Sequence, residues 1–459
     1  MFQHFVILTI LIILKPAISL SKPFRYYHDD SKIVQINVKD FGAVGNGIQD
    51  DTRSIQNAID SSVKVHNSLV IFPNGIYMVS SLDIKSNIQG SKKTTIKNNK
   101  LKLDSYLFCN VSKRKNITIK SIIFDGSTKL DKLGKLVRGS IPLFIKQSSD
   151  IAIINCSFKN SPMSGLRVEA CSDIMVEGCL SNSNRGVYGD GYYFNRTNNL
   201  KVANCTADNY TRIGFVTERN SYNIIFSDCH ARNGHSSSIL SGGIEYNAGF
   251  WYENSANIKT IRCLAENNTH RGFVATTGPE IGKFIENRFA SFEFTDCKSI
   301  NNPIGFVFSS MGTTVNTLAN RCEAEKANTG FHSTAQAVTD RFSFIDCKVI
   351  MNPLSQKSAN NVAFNWESPA TKNNKSSSGI PEFRFKNCYV SYLKPLLYTK
   401  LIDPDNNNGD ISTYAGGKAK IMISNLKNSI PNSKGIIKAR TGQPLYSTFE
   451  EDIITTPKK

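Results

Sequence analysis

The sequence predicts an all-β fold, a single-stranded right-handed parallel β-helix (a solenoid) with an N-terminal capping helix. Three observations carry that prediction. The first is a recurring phrase of cysteine, small residue and asparagine, as in Cys205-Thr206-Ala207-Asp208-Asn209, Cys229-His230-Ala231-Arg232-Asn233 and Cys263-Leu264-Ala265-Glu266-Asn267. Each copy is followed after a variable gap by a glycine and an aromatic, at Gly214-Phe215, Gly249-Phe250 and Gly272-Phe273, and the cysteines from Cys156 to Cys388 recur every 23 to 41 residues. A period in the twenties with occasional insertions is the signature of stacked coils carrying loops. The second is that each unit holds only short runs of strand type, such as Asn223-Ile224-Ile225-Phe226, and nothing apolar at helical spacing for three turns. The third is physical. One coil of strands cannot bury its own inner face, whereas a stack buries a continuous core and pairs every backbone group except at its ends.

Taken in order, residues 1–21 read as a secretory signal, with an apolar run Phe5–Leu14 and a small-residue exit at Ala17-Ile18-Ser19. The run is too short to span a bilayer, so no stable membrane anchor is expected and the mature protein is read as secreted. The β-helix is expected over 22–400 and a C-terminal cap or tail over 401–459. Asp50 or Asp51 is positioned to N-cap a helix whose apolar residues Ile55, Ala58, Ile59 and Val63 share one face and plug the open end of the solenoid. Leu69–Phe72 and Ile76–Val79 follow as strands around a Pro73-Asn74-Gly75 turn, and 127–140 and 370–380 read as protruding loops.

Val38-Lys39-Asp40-Phe41-Gly42-Ala43, Asp50-Asp51-Thr52, Ile55–Ile59 and Phe72-Pro73-Asn74-Gly75-Ile76-Tyr77 resemble the opening motif of the pectate lyase superfamily. That group includes polygalacturonases, carrageenases, alginate epimerases and phage tailspikes. The resemblance implies a right-handed β-helix that acts on polysaccharide in a long groove along one sheet. Where alginate epimerases carry an Asp-Pro-His-Glu signature, this chain has Tyr193-Phe194-Asn195-Arg196.

The 459 residues carry a formal net charge of +18, which favours an anionic partner. Lysines and arginines are scattered and no nucleic-acid fingerprint is present, which points to an anionic polysaccharide rather than nucleic acid. The eleven cysteines recur at one position of the repeat, where side chains stack in one direction, so they read as a buried thiol ladder, with isolated bridges at Cys109 or Cys171 left open. No C-x-x-C pair occurs and no metal or cofactor is expected. Asn209, Asn233 and Asn267 read as a turn ladder.

Aligning the repeats on their glycines exposes columns on one sheet. The third position holds Arg167, Tyr193, Val216 and Trp251, and the fifth holds Glu169, Asn195, Glu218 and Glu253. If the second and fourth positions face the core, these columns face out. Just before the glycines lie Asp190, Arg212, His270 and Arg271. Hydrolysis of a glycosidic bond needs two flanking carboxylates, for which Glu218 and Glu253 with Asp190 are the candidates. β-Elimination or C5-epimerisation of a uronate needs a base, an acid and a cation to neutralise the carboxylate, for which Tyr193, His235 or His270 with Arg212 or Arg271 are available. Trp251, Arg167, Arg212, Arg271 and His235 are candidate substrate-binding residues. The leading expectation is hydrolysis of an acidic or sulfated polysaccharide. A polysaccharide lyase or uronate epimerase is the alternative, and a non-catalytic carbohydrate-binding adhesin is the third reading.

Overall fold

The computed structural model describes residues 33–99, 107–132, 136–236, 246–285, 289–310, 313–335, 339–352, 362–367 and 381–392, and the strands Gly409–Thr413, Ala419–Asn428, Ile437–Ala439 and Ser447–Thr455. The expected signal segment 1–21 and the loop 370–380 lie outside them.

Strands of successive coils pair in parallel, and each coil contributes to three faces. The first face runs through Ser149–Ile154, Ser172–Glu177, Asn198–Ala203, Ser221–Ser227 and Ser255–Ile261. The second runs through Ser157–Lys159, Leu180–Asn184, Thr206–Tyr210, His230–Arg232 and Leu264–Glu266. These two faces join near the C-terminal end, where Ala419–Asn428 pairs with strands of both. The third face is a separate sheet of thirteen strands, among them Ser164–Glu169, Asp190–Asn195, Ile213–Glu218, Ala248–Glu253 and Arg271–Thr276. The architecture is the right-handed parallel β-helix that the repeat predicts. Parallel pairing continues beyond residue 400 through Gly409–Thr413, Ile437–Ala439 and Ser447–Thr455. Coil pairing therefore extends past the boundary expected from the fading cysteine repeat.

The inner column of the third face is an aromatic stack. Tyr192, Phe215, Phe250, Phe273, Phe306, Phe331 and Phe364 lie in register, with ring centroids 4.6 to 5.2 Å apart. In-register strands put identical ring types one strand spacing apart, which is close to the offset-stacking distance of aromatic rings. The glycine preceding each aromatic has a local cause. A Cβ on Gly214 would sit 2.6 Å from the Gly249 carbonyl oxygen and 2.8 Å from the Ala231 Cβ, so only a bare backbone passes there.

All eleven cysteines are free and buried. They pack as small apolar groups, and those of the ladder are weakly bonded to main-chain carbonyls, as Cys205 Sγ is to Val176 O at 3.6 Å and Ala203 O at 3.2 Å. The bridges left open for Cys109 and Cys171 are absent. The residue before each laddered cysteine turns the corner in a left-handed conformation: Asn204 (φ 53°), Asp228 (54°), Arg262 (51°), Asp296 (55°), Arg321 (51°) and Asp346 (54°). Asn and Asp tolerate that region and arginine does not favour it. Arg262 and Arg321 are tied down by paired bonds of 2.7–2.8 Å to Asp228 and Asp296 one coil below. The asparagine ladder forms one corner further on, where Asn233 Nδ2 donates to Asp208 Oδ1 at 2.8 Å and Asn301 Nδ2 to Asn267 Oδ1 at 2.7 Å.

The N-terminal motif is a clasp. Helix Thr52–Ser62 buries Ile55, Ala58 and Ile59. Val63, expected on the same face, is the C-cap residue and is exposed. Asp51 occupies the N-cap position but makes no side-chain cap bond; its carboxylate instead accepts from the N–H groups of Val44 at 2.7 Å and Gly45 at 3.0 Å. Asp50 accepts from Thr52 N at 2.9 Å and performs the capping. Gly45 is left-handed (φ +67°), and a Cβ there would meet the Tyr77 ring at 2.8 Å. The stretch 127–140, expected as an open loop, contains an antiparallel pair, Lys129–Leu130 with Leu136–Arg138.

Candidate active site

The third and fifth columns converge on Tyr193. Its hydroxyl donates to Glu218 Oε2 at 2.7 Å and accepts from Asn195 Nδ2 at 2.8 Å. The strands pair Tyr193 with Val216 and Asn195 with Glu218, so the phenol reaches diagonally to the next coil. Burial first, and then the Glu218 carboxylate, push the Tyr193 phenol well above its ordinary value. It stays protonated, a donor held against an acceptor.

Below that pair, Arg212 Nε and Nη2 bond Asp190 Oδ1 and Oδ2 at 2.8 and 2.6 Å, and Asp190 Oδ1 also accepts from Ile213 N at 3.2 Å. Arg212 Nη2 lies 3.8 Å from Glu218 Oε1. Burial opposes the charge on Arg212, but Asp190 outweighs it and holds the guanidinium above its usual value. Burial likewise pushes the Asp190 carboxyl up against the pull of Arg212. Asp190 is fully buried with both oxygens occupied. This departs from its expected place as an available carboxylate beside Glu218 and Glu253; it orients Arg212, which faces Glu218.

The outward columns leave the core but are not all open to water. Tyr193, Ile213 and Val216 form a second apolar cluster with Trp251 packed on it, and Val216 is fully buried. Arg167 stacks on the Tyr193 ring at 4.1 Å and bonds Glu169 Oε1 through Nε at 2.6 Å. Glu253 stands exposed at the end of its strand. Partial burial of the carboxyl group, then the Glu218 carboxylate, push it up. Arg271 stacks on Trp251 at 5.2 Å. His235 is exposed in the turn after His230–Arg232, its backbone N–H bonded to Tyr210 O at 3.0 Å, and no described contact joins it to the Tyr193 cluster.

A depression of about 370 Å³ opens beside Tyr193, lined by Lys146, Gln147, Arg167, Glu169, Ala170, Tyr193, Asn195, Arg196 and Arg219. Four cations face one carboxylate there, a lining suited to an anionic group. Lys146, Arg196 and Arg219 were not among the candidates from sequence. Ala170, Arg196, Arg219 and Asn254 form the sixth column of the glycine alignment, left-handed at the strand end (φ 52°, 48°, 50° and 45°). Extending the columns by one position would have found the two arginines. Among the described residues no group of His, Cys, Asp or Glu is arranged to hold a metal ion, and no helix is long and apolar enough to cross a membrane.

Residues 35–239 match the family model described as rhamnogalacturonase A/epimerase, pectate lyase-like. With the coil architecture, the match supports a likeness to the pectate lyase-like parallel β-helices. A stretch of 73 residues is 44% identical to mannuronan C5-epimerase AlgE2 of Azotobacter vinelandii, and one of 76 residues is 43% identical to alginate lyase 7 of the same organism. They cover 13% and 14% of this chain and only 7% and 9% of those proteins. The crystal structure of PfbA, a surface adhesin of Streptococcus pneumoniae, superposes with a TM-score of 0.51 at 12% identity over 87% of this chain and 93% of that one, a likeness of fold.

Proposed function

We propose that this protein is a secreted enzyme acting on an anionic polysaccharide laid along the third sheet, and that its chemistry is proton transfer at a uronate, by β-elimination or C5-epimerisation. The observation that carries this reading is the Tyr193 hydroxyl, fixed between Glu218 and Asn195 at the edge of a groove lined by Lys146, Arg167, Arg196 and Arg219. The cations neutralise the uronate carboxylate, which acidifies the C5–H and stabilises the carbanion formed when that proton leaves. Glu218 is the adjacent carboxylate able to receive a proton, and Tyr193, held neutral, is the donor. In elimination the C5–H bond breaks, a C4–C5 double bond forms, and Tyr193 protonates the departing O4. In epimerisation Glu218 keeps the abstracted proton, and the same carbanion takes a new, solvent-exchangeable proton from Tyr193 on the opposite face. The matched stretches of an epimerase and an alginate lyase support the reading.

Hydrolysis is the second reading, favoured by Glu253, whose carboxyl is raised partly by the nearby Glu218. A protonated carboxyl beside an ionised one is the pairing that glycoside cleavage uses. Incubation with alginate, pectate and sulfated glycans, following reducing ends and the ultraviolet absorbance of an unsaturated uronate together, separates the two. Absorbance rising with reducing ends supports elimination. Reducing ends alone support hydrolysis through Glu218 and Glu253. Inverted uronates without cleavage support epimerisation.

A further inference from the structure

Three aromatic side chains on or beside the third sheet near the site are each stacked with an arginine. Arg167 lies over Tyr193 at 4.1 Å, Arg212 over Tyr188 at 5.2 Å and Arg271 over Trp251 at 5.2 Å. The first two pairs belong to the Tyr193 cluster. The third does not: Trp251 and Arg271 lie on the two coils beyond it, Trp251 in register with Val216 and Val216 with Tyr193. Two strand spacings separate Trp251 from Tyr193 along the sheet, about 10 Å.

The surroundings of Trp251 are those of an incomplete contact. The Tyr246 ring packs over it at 6.5 Å, nearly parallel at 20°, and Tyr246 is itself 48% exposed. The indole Nε1–H is buried and has no hydrogen-bond partner among the described residues. A donor in that state loses free energy until an acceptor arrives. Tyr188, 52% exposed just before the Asp190–Asn195 strand, adds an open aromatic edge two coils away, at the Tyr193 end of the sheet. Amphipathic rings at a surface, apolar on the face and polar at the rim, match the face and hydroxyls of a pyranose. A guanidinium stacked on a ring keeps its N–H edge aligned for a planar anion.

From this we propose that Trp251, Arg271 and Tyr246 form a distal subsite that takes a second acidic sugar, about two residues along the chain from the unit held at Tyr193. It rests on the reading of the Tyr193 groove as the place of chemistry, and adds that the substrate is a run of acidic residues lying along the coil axis, with Trp251 Nε1 donating to a ring substituent and Arg271 meeting the acid. One sugar unit advances a glycan by roughly one strand spacing, so side chains on successive coils read successive residues. Affinity for such a run should therefore grow with length until the distal subsite is filled, as linked contacts do.

The chain has two tryptophans, Trp251 and Trp366, which makes a direct test available. In a Trp366→Phe background the emission of Trp251 is followed while oligouronates of two to six residues, and neutral oligosaccharides of equal length, are added. The longer acidic oligomers should change the emission; the dimer and the neutral series should not. Arg271→Gln should weaken binding of the hexamer roughly tenfold, as expected for losing a stacked cation and its anion contact, and leave the dimer unaffected. Trp251→Phe, which keeps the ring face but removes the N–H, should fall between. If the hexamer binds with Trp251 silent and Arg271→Gln harmless while Tyr193→Phe still abolishes turnover, the distal subsite is wrong and the catalytic reading stands. If no acidic oligomer binds at any length, both fail together.

Discussion

The Tyr193 hydroxyl and the Glu218 carboxylate meet at 2.7 Å across adjacent coils, although neither is the in-register partner of the other. The pairing depends on the columns running diagonally. Tyr193→Phe deletes the donor and leaves the ring under Arg167, so the fold should be preserved while turnover falls by 10²-fold or more, the scale of a lost acid–base group. Glu218→Gln should do the same. Circular dichroism and steady-state rates on the responsive glycan check it; near-normal rates in Tyr193→Phe would place the chemistry elsewhere.

Arg212 should matter for stability as well as for the site. Its guanidinium is paired with a carboxylate whose side chain is 1% exposed. Breaking a buried pair from one side leaves an uncompensated charge, a loss of about 3–5 kcal/mol. Arg212→Gln should therefore destabilise by that order in urea unfolding. The double variant Asp190→Asn with Arg212→Gln should recover part of the loss, because no lone charge remains.

Glu253 carries a pH dependence with a definite sign. Its folded-state pKa lies above the ordinary glutamate value of 4.5, so the folded protein holds this proton more tightly than the unfolded chain. The associated stability is fully present below that ordinary value and is lost as pH rises through the folded one. Glu253→Gln should remove this component, so the variant should gain on the parent in melting temperature as pH climbs above about 4.5. The same variant should keep turnover if the chemistry is proton transfer at Tyr193, and lose it if Glu253 is a glycosidase acid.

The thiols should be chemically silent. Burial pushes Cys171 up to about 11 and Cys388 up to about 12, and all eleven are free and buried. A thiol reagent at neutral pH should find none in the native protein and eleven after denaturation, with no reductant required. Fewer than eleven in the denatured chain would mean that disulfides interrupt the ladder.

The solenoid was legible because its determinants are periodic. The cysteine corner, the glycine that lets backbones approach and the aromatic that stacks behind it recur in the letters themselves. The columns that follow from that period put Tyr193, Glu218, Arg212 and Asp190 on one sheet. Pairing within the columns was not legible, because Asp190 sinks beneath Arg212 through a side-chain bond that no spacing records. Asp51 bonds backward to Val44 and Gly45 for the same kind of reason: the turn in front of the helix, not the helix, needs its carboxylate. His235 is a candidate by residue type, as a histidine able to move a proton or bind substrate, but the turn that holds it faces solvent. Arg196 and Arg219 sit one position beyond the outward columns, at left-handed strand ends where the alternation that defines the columns stops.

Proton transfer at C5 by Tyr193 and Glu218 leaves a signature that nuclear magnetic resonance reads in the products formed in deuterated water. The products should be either unsaturated chain ends or uronates that carry solvent deuterium at C5, both absent with Tyr193→Phe. New reducing ends on sugars whose C5 keeps its original proton, without unsaturation, would contradict it and transfer the chemistry to Glu218 and Glu253.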